Sequence, residues 1–329
     1  MPNPADAGPV DAPRDRRGFV WAKRLALVVV LVLAGYAVYR NYEALRDDLD
    51  RLSPWVLVAS FVPAALAMLA SLQVWRTLMA ELGSPLPMGA AARVFYISQL
   101  GKYVPGTMWS VMAQMELGRD FKVPRRTSAA VGVLVLAISV VAGTSVAVVL
   151  LPLAGAEIAH RYWWLVLALP PLYAAVHPPV LRWVLDRLLR LVGREPITDL
   201  PSWAGLRRAL VLQAVTWLLL GLQVWILVVG LDAPVLQSLP AAVGGYALAY
   251  SLGMVAFLLP AGAGVREGTL VLALAGLVAG PTALLVALLA RAISTVCDLA
   301  FALVELARWR HTQRRSLPTL GQSNSGRED

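Results

Sequence analysis

The chain has 329 residues, 58% of them hydrophobic and only 15% charged, and it carries a formal net charge of +9. A water-soluble domain of that balance would expose apolar surface it could not cover, so the composition excludes one and points to a multi-pass helical membrane protein. The positive charge sits beside apolar segments, as membrane topology demands, and is no sign of nucleic-acid binding. Cys297 is the sole cysteine, and His160, His177 and His311 show no ligand spacing, so neither a disulfide, a metal cluster nor a cofactor is expected.

Residues 1–19 read as a disordered tail. Lys23 and Arg24 precede the first apolar run without a small-residue cleavage site after it, so no cleaved signal peptide is expected. A first span over 20–39, with Arg14, Arg16 and Arg17 before it, starts in the cytoplasm. Loop 40–53 carries Glu43, Asp47, Asp48 and Asp50 and suits the outer side. A second span over 54–79 returns inward. Residues 88–118 contain Gly101-Lys102-Tyr103-Val104-Pro105-Gly106, the first of two breaks. The basic loop 119–126 follows on the same side, so this segment is either two spans or a re-entrant hairpin, and at about 31 residues with Arg93 and Lys102 inside it the hairpin fits better. Arg125 and Arg126 set topology there and can touch anionic lipid.

Spans over 128–153 and 162–180 come next, the latter kinked by Pro170-Pro171 and Pro178-Pro179. Residues 181–208 form a basic cytoplasmic loop, and a further span covers 209–231. The second break, Pro260-Ala261-Gly262-Ala263-Gly264-Val265-Arg266-Glu267-Gly268, divides residues 240–280. A last helix over 282–307 ends in arginines, leaving residues 311–329 as a basic, disordered cytoplasmic tail. The expected architecture is an all-α integral membrane domain over residues 20–310. It has six spans and two broken elements, or eight spans if residues 240–280 cross twice. A bacterial plasma membrane, with both termini cytoplasmic, fits this charge pattern.

The two breaks carry the chemistry. Unpaired backbone is costly in hydrocarbon, so broken helices belong where they face protein or a watery cavity. Each break ends an apolar helix, turns on Pro and Gly, and restarts a helix bearing a carboxylate, Glu116 or Glu267. Entry from opposite sides would make them halves of an inverted repeat with a site between. A helix restarting in the membrane aims free N–H groups at whatever lies ahead. With Lys102 and Tyr103 before Pro105 and Gly106, and Arg266 after Gly262 and Gly264, each break is suited to an anion such as a phosphate. The plainer alternatives are helix kinks, a snorkelling Lys102, and a structural ion pair between Arg266 and Glu267.

Arg291, Asp298 and Glu305 recur every seven residues on one face of the last helix. Arg291 lies closest to the middle, and it and Asp298 join the candidate head-group site, because intramembrane charges usually face a cavity or a partner. Glu305 reads as interfacial. Gln213, Thr216 and Gln223 share a face and suit helix-to-helix hydrogen bonding.

The stretch from Ile97 to Gly106 followed by Trp109, together with Leu259 to Gly268, resembles the lysylphosphatidylglycerol synthase transmembrane family of flippase-like domains. The resemblance covers about residues 20–310. It implies a membrane domain that moves a modified lipid between leaflets. The soluble aminoacyltransferase domain of the family's bifunctional members is not expected here, so a synthase name would mislead about catalysis. The leading reading is a non-enzymatic translocase for a phosphate-containing lipid, aminoacylated or glycosylated. A membrane-embedded head-group transferase using Glu116, Glu267 or Asp298, and a non-catalytic partner of a separate synthase, stay open. Compatible partners are membrane lipids, a separate synthase or glycosyltransferase, and a second copy of the chain, but not nucleic acid.

Overall fold

The computed structural model describes residues 32, 35–103, 109–191, 200–256, 262 and 264–316. Most of the expected first span, the N-terminal tail, residues 317–329 of the C-terminal tail, and Pro105 and Gly106 of the first break lie outside these residues; residues 311–316, expected to be disordered, are helical. After helical residues 35–40 come α1 (Tyr42–Arg51), α2 (Pro54–Glu81), α3 (Met88–Gln99) and α4 (Trp109–Arg119). Then follow α5 (Arg125–Leu150), α6 (Ala156–Tyr162), α7 (Leu165–Val176) and α8 (Pro178–Leu191). The chain continues with α9 (Trp203–Val229), α10 (Val235–Val255), α11 (Val265–Leu274) and α12 (Gly280–Ser316). Five of these, α2, α5, α9, α10 and α12, are long and apolar enough to cross a membrane, and α7 with the start of α8 makes a sixth, bent by 74°.

Several boundaries differ from expectation for identifiable reasons. The bend falls at His177, whose ψ of 133° is extended, because the ring of Pro178 disfavours a helical residue before it. Pro170 and Pro171 lie within α7 without ending it. The stretch expected as a loop after residue 181 continues as α8, where arginines alternate with apolar residues at helical spacing. The helix expected from residue 209 begins at Trp203, capped by the Ser202 hydroxyl, which accepts from the Gly205 N–H at 3.0 Å. The last helix extends past its arginines to Ser316.

The helices after α1 form two matching series, α2–α5 and α9–α12: a long helix, a hairpin and a second long helix. Their partners exchange accordingly. Helix α3 packs on α12 as α10 packs on α5, and α9 packs on α5 as α2 packs on α12. The pair α2 and α9, packed on each other, lies on the axis between the series. They run antiparallel. Glu81 at the end of α2 accepts from the Ser202 N–H ahead of α9 at 2.8 Å, while Arg51 before α2 pairs with Asp232 beyond α9 at 2.8 Å. The repeat is therefore inverted.

Each hairpin returns to the end at which it begins, and its second arm, α4 or α11, is too short to cross a membrane as a helix, so residues 240–280 do not cross twice. In the first, Arg93 of α3 pairs with Asp120 beyond α4 at 3.2 Å near the base. In the second, Gly245 of α10 lies against Ala273 of α11 near the base, and Gly253 against Gly262 near the tip. The bases are at opposite ends. That of the first lies beside Trp309 at the end of α12, with the Arg93 guanidinium 4.5 Å from its ring. The second starts just beyond Asp232 and leads back to the start of α12, where the Thr282 hydroxyl donates to Asp48 of α1 at 2.6 Å. The two largest buried apolar clusters divide the same way, one around each hairpin.

Candidate functional site

Both tips stop against the middle of α12, and glycine lets each do so. A side chain at Gly101 would collide with the backbone of Ser110, within 2.6 Å of its nitrogen. Gly262 has φ of +65° and packs its Cα face on the backbone of Gly253. The arms of each hairpin can thus close to backbone contact at membrane depth.

Five of the predicted side chains pair with one another here, Lys102 and Tyr103 with Asp298 and Glu267 with Arg291. Lys102 Nζ lies 2.6 Å from Asp298 Oδ2, and the Tyr103 hydroxyl donates to the same oxygen. Asp298 is 1% exposed, so Lys102 neutralises a buried carboxylate and does not snorkel. Glu267 turns away from its neighbour Arg266. One of its carboxylate oxygens accepts from Arg291, the other from the Gly264 N–H at 2.7 Å, capping α11. The alternative of a structural pair between Arg266 and Glu267 is therefore not what forms; Glu267 pairs with Arg291 instead. The Arg266 guanidinium instead lies 3.5 Å from the centre of the Tyr250 ring, a cation–π contact. Among the described residues it has no carboxylate partner.

These groups line one cavity of about 100 Å³, with Tyr246, Ser294 and Thr295. That is room for several waters or for a phosphate-sized group. Lys102, Arg266 and Arg291 face Glu267 and Asp298, leaving one positive charge in excess. Three buried polar atoms on its walls, Arg266 Nε, Ser294 Oγ and Asp298 Oδ1, have no protein partner among the described residues. The wall can therefore donate to an anionic oxygen and accept from a neighbouring hydroxyl or ammonium.

Glu116 does not join this site. It is 62% exposed and bonds Arg119 at 2.8 Å and Arg125 at 3.0 Å, because α4 carries it away from the tip toward the base of its hairpin. Pro105 and Gly106 lie outside the described residues. Glu305 is more buried than an interfacial reading implies, with its side chain 8% exposed and accepting from Arg308. Of the three polar residues on α9, Gln223 reaches another helix, donating to the Ala290 carbonyl at 3.0 Å. Thr216 bonds back to Leu212 in its own helix.

Sequence reasoning missed Tyr246, Tyr250, Ser294 and Thr295 as lining residues. Ser294 and Thr295 stand three and four places after Arg291, a spacing that puts them on its face. Tyr250 begins the Tyr-Ser run before the second break. Its role depends on Arg266 folding back over it, which no local pattern shows.

Inverted repeats whose re-entrant hairpins meet at a charged cavity define a multi-pass helical membrane protein built around an intramembrane polar site. The lysylphosphatidylglycerol synthase TM region family matches residues 24–302, and the chain belongs to it. No curated protein matches the chain.

Proposed function

We propose that this protein translocates a phosphate-containing lipid between membrane leaflets. The observation that carries the reading is the excess cation in a small cavity at the meeting point of hairpins from opposite ends. A phosphodiester carries one negative charge, which matches the excess. The phosphate would sit among these cations, with glycerol, acyl chains and any aminoacyl or sugar substituent extending from it toward lipid. Inverted repeats about a central site suit alternating exposure to the two sides. The ion pairs of Lys102 with Asp298 and Glu267 with Arg291 are the contacts that would open in turn.

The protein acts here without making or breaking a covalent bond. Asp298 and Glu267 are each held by a cation, an arrangement that suits charge balance more than proton transfer. A separate synthase or glycosyltransferase would supply the lipid. The end bearing Arg93, Arg119, Arg125 and Arg207 faces the cytoplasm of a bacterial plasma membrane, with both termini on that side.

The test is leaflet-specific labelling in proteoliposomes carrying fluorescent phosphatidylglycerol, lysylphosphatidylglycerol or a lipid-linked sugar. The wild type should move at least one of them faster than protein-free vesicles. Arg266→Gln should slow it by about tenfold, the order of one charge-assisted contact. Movement of none of the three above the protein-free rate would overturn the reading.

A further inference from the structure

A second, larger cavity lies away from the hairpins, between α5, the bend of α7 and α8, and the start of α9. Its volume is about 320 Å³ and it shares no lining residue with the central site. That volume reaches the range of about 300–1,000 Å³ usual for small-molecule pockets. Ile138, Val176, Leu206 and Leu210 form aliphatic walls. Trp203 stands at the mouth, 5.2 Å from the His177 ring and edge-on to it. One turn further along α9, exposed Arg207 also lines the cavity.

The surroundings repeat this polarity. Beyond the 74° bend, α8 carries exposed Arg182, Arg187 and Arg190, with Trp183 exposed between them. Among the described residues none of these three, nor Arg207, has a carboxylate partner. An amphipathic helix leaving a span at such an angle, with arginines and an exposed tryptophan, suits the membrane interface. An apolar crevice beside a span, rimmed by tryptophan and uncompensated arginine, has the two-part chemistry of a phospholipid. Cationic surroundings favour an anionic head group over a zwitterionic one.

The geometry points to a second lipid site, in which an anionic phospholipid of the leaflet at the basic end places an acyl chain in this crevice and its phosphate on Arg207. The site does not depend on translocation through the hairpins.

Full-length protein in vesicles of phosphatidylethanolamine and phosphatidylglycerol, released into mild detergent, can be weighed by native mass spectrometry. Phosphatidylglycerol should be retained in preference to phosphatidylethanolamine. Arg207→Gln should weaken that retention by about tenfold. Ala174→Trp, which fills the crevice from an exposed position, should abolish it with the thermal unfolding midpoint kept. Arg266→Gln, in the central cavity, should leave intact the share of retention that Arg207→Gln and Ala174→Trp remove, which separates this site from the proposed transport site. Equal retention of the two lipids, retention unaffected by both crevice variants, or a protein chain bound there in place of lipid would each overturn the proposal.

Discussion

The first hairpin reaches the last helix through cationic and phenolic donors, with Lys102 and Tyr103 both directed at Asp298. The second reaches it through an acceptor, with Glu267 taking a bond from Arg291. The two latches have opposite polarity and lie seven residues apart on one face of α12. Their aromatic supports differ as well. Beside the first hairpin, Trp75, Phe95, Tyr96 and Phe301 stack on one another in sequence. Beside the second, Trp217 and Tyr246 back Tyr250, whose ring holds Arg266. The repeat thus supplies two matching scaffolds: the first tip's cation, Lys102, is neutralised by Asp298, and the second holds Arg266 on an aromatic ring with no carboxylate partner among the described residues. Backbone symmetry sets where a ligand could sit, while departures from that symmetry set its charge.

The latches should fail unequally, and the largest effect belongs to the first. Lys102→Met leaves Asp298 buried without its cation, a loss of about 3–5 kcal/mol of stability for a broken buried pair. A thermal unfolding midpoint well below wild type in detergent checks this. The double variant Lys102→Met with Asp298→Asn removes the orphaned charge and should recover most of the loss. If the single variant matched wild type in stability, Asp298 would not depend on Lys102 and the proposed asymmetry would break.

Much of the scaffold was legible in the sequence because membrane helices obey strong rules. Apolar length and arginine placement located the spans after the first, and charge parity together with the short, charged segment pointed to a re-entrant first break. The site was legible to the extent that charges in hydrocarbon are rare: Lys102, Arg266, Glu267, Arg291 and Asp298 all line one cavity. Their pairing was not. Arg266 and Glu267 are neighbours in sequence but point to different partners, since adjacent residues on a helix diverge by about 100°. Glu116 looked equivalent to Glu267 because both follow a break. However, Glu267 lies in the first turn of its helix, and Glu116 lies more than a turn into α4, so only the former caps a tip.

A middle-sized effect tests the close approach that brings the first tip to α12. Gly101→Ala places a methyl group within 2.6 Å of the Ser110 backbone nitrogen, and backbone cannot turn aside as a side chain can. Overpacking of this kind costs about 1–3 kcal/mol. The same method should show a lowered midpoint, with weaker Lys102–Asp298 contact registered as faster hydrogen exchange around residues 100–103. Gly253→Ala meets mainly the flexible side chain of Arg266, so it should cost less stability and instead disturb Arg266 on Tyr250. Equal losses from the two alanines would mean that both tips are held by backbone contact alone.

The smallest effect should come from Glu116, the carboxylate that mirrors Glu267 in sequence but not in place. Its bonds to Arg119 and Arg125 are exposed, and such pairs are screened by water and salt and contribute little. Glu116→Gln should therefore leave both the unfolding midpoint and lipid movement close to wild type. Glu267→Gln, by contrast, keeps a group able to cap Gly264 but loses the charge that balances Arg291. It raises the positive excess of the cavity by one, so an anionic group should be held more tightly and released more slowly. A measured fall in lipid movement for Glu116→Gln as large as that for Glu267→Gln would place the working carboxylate at the hairpin base, outside the cavity, and the two breaks would have to be read as functionally equivalent after all.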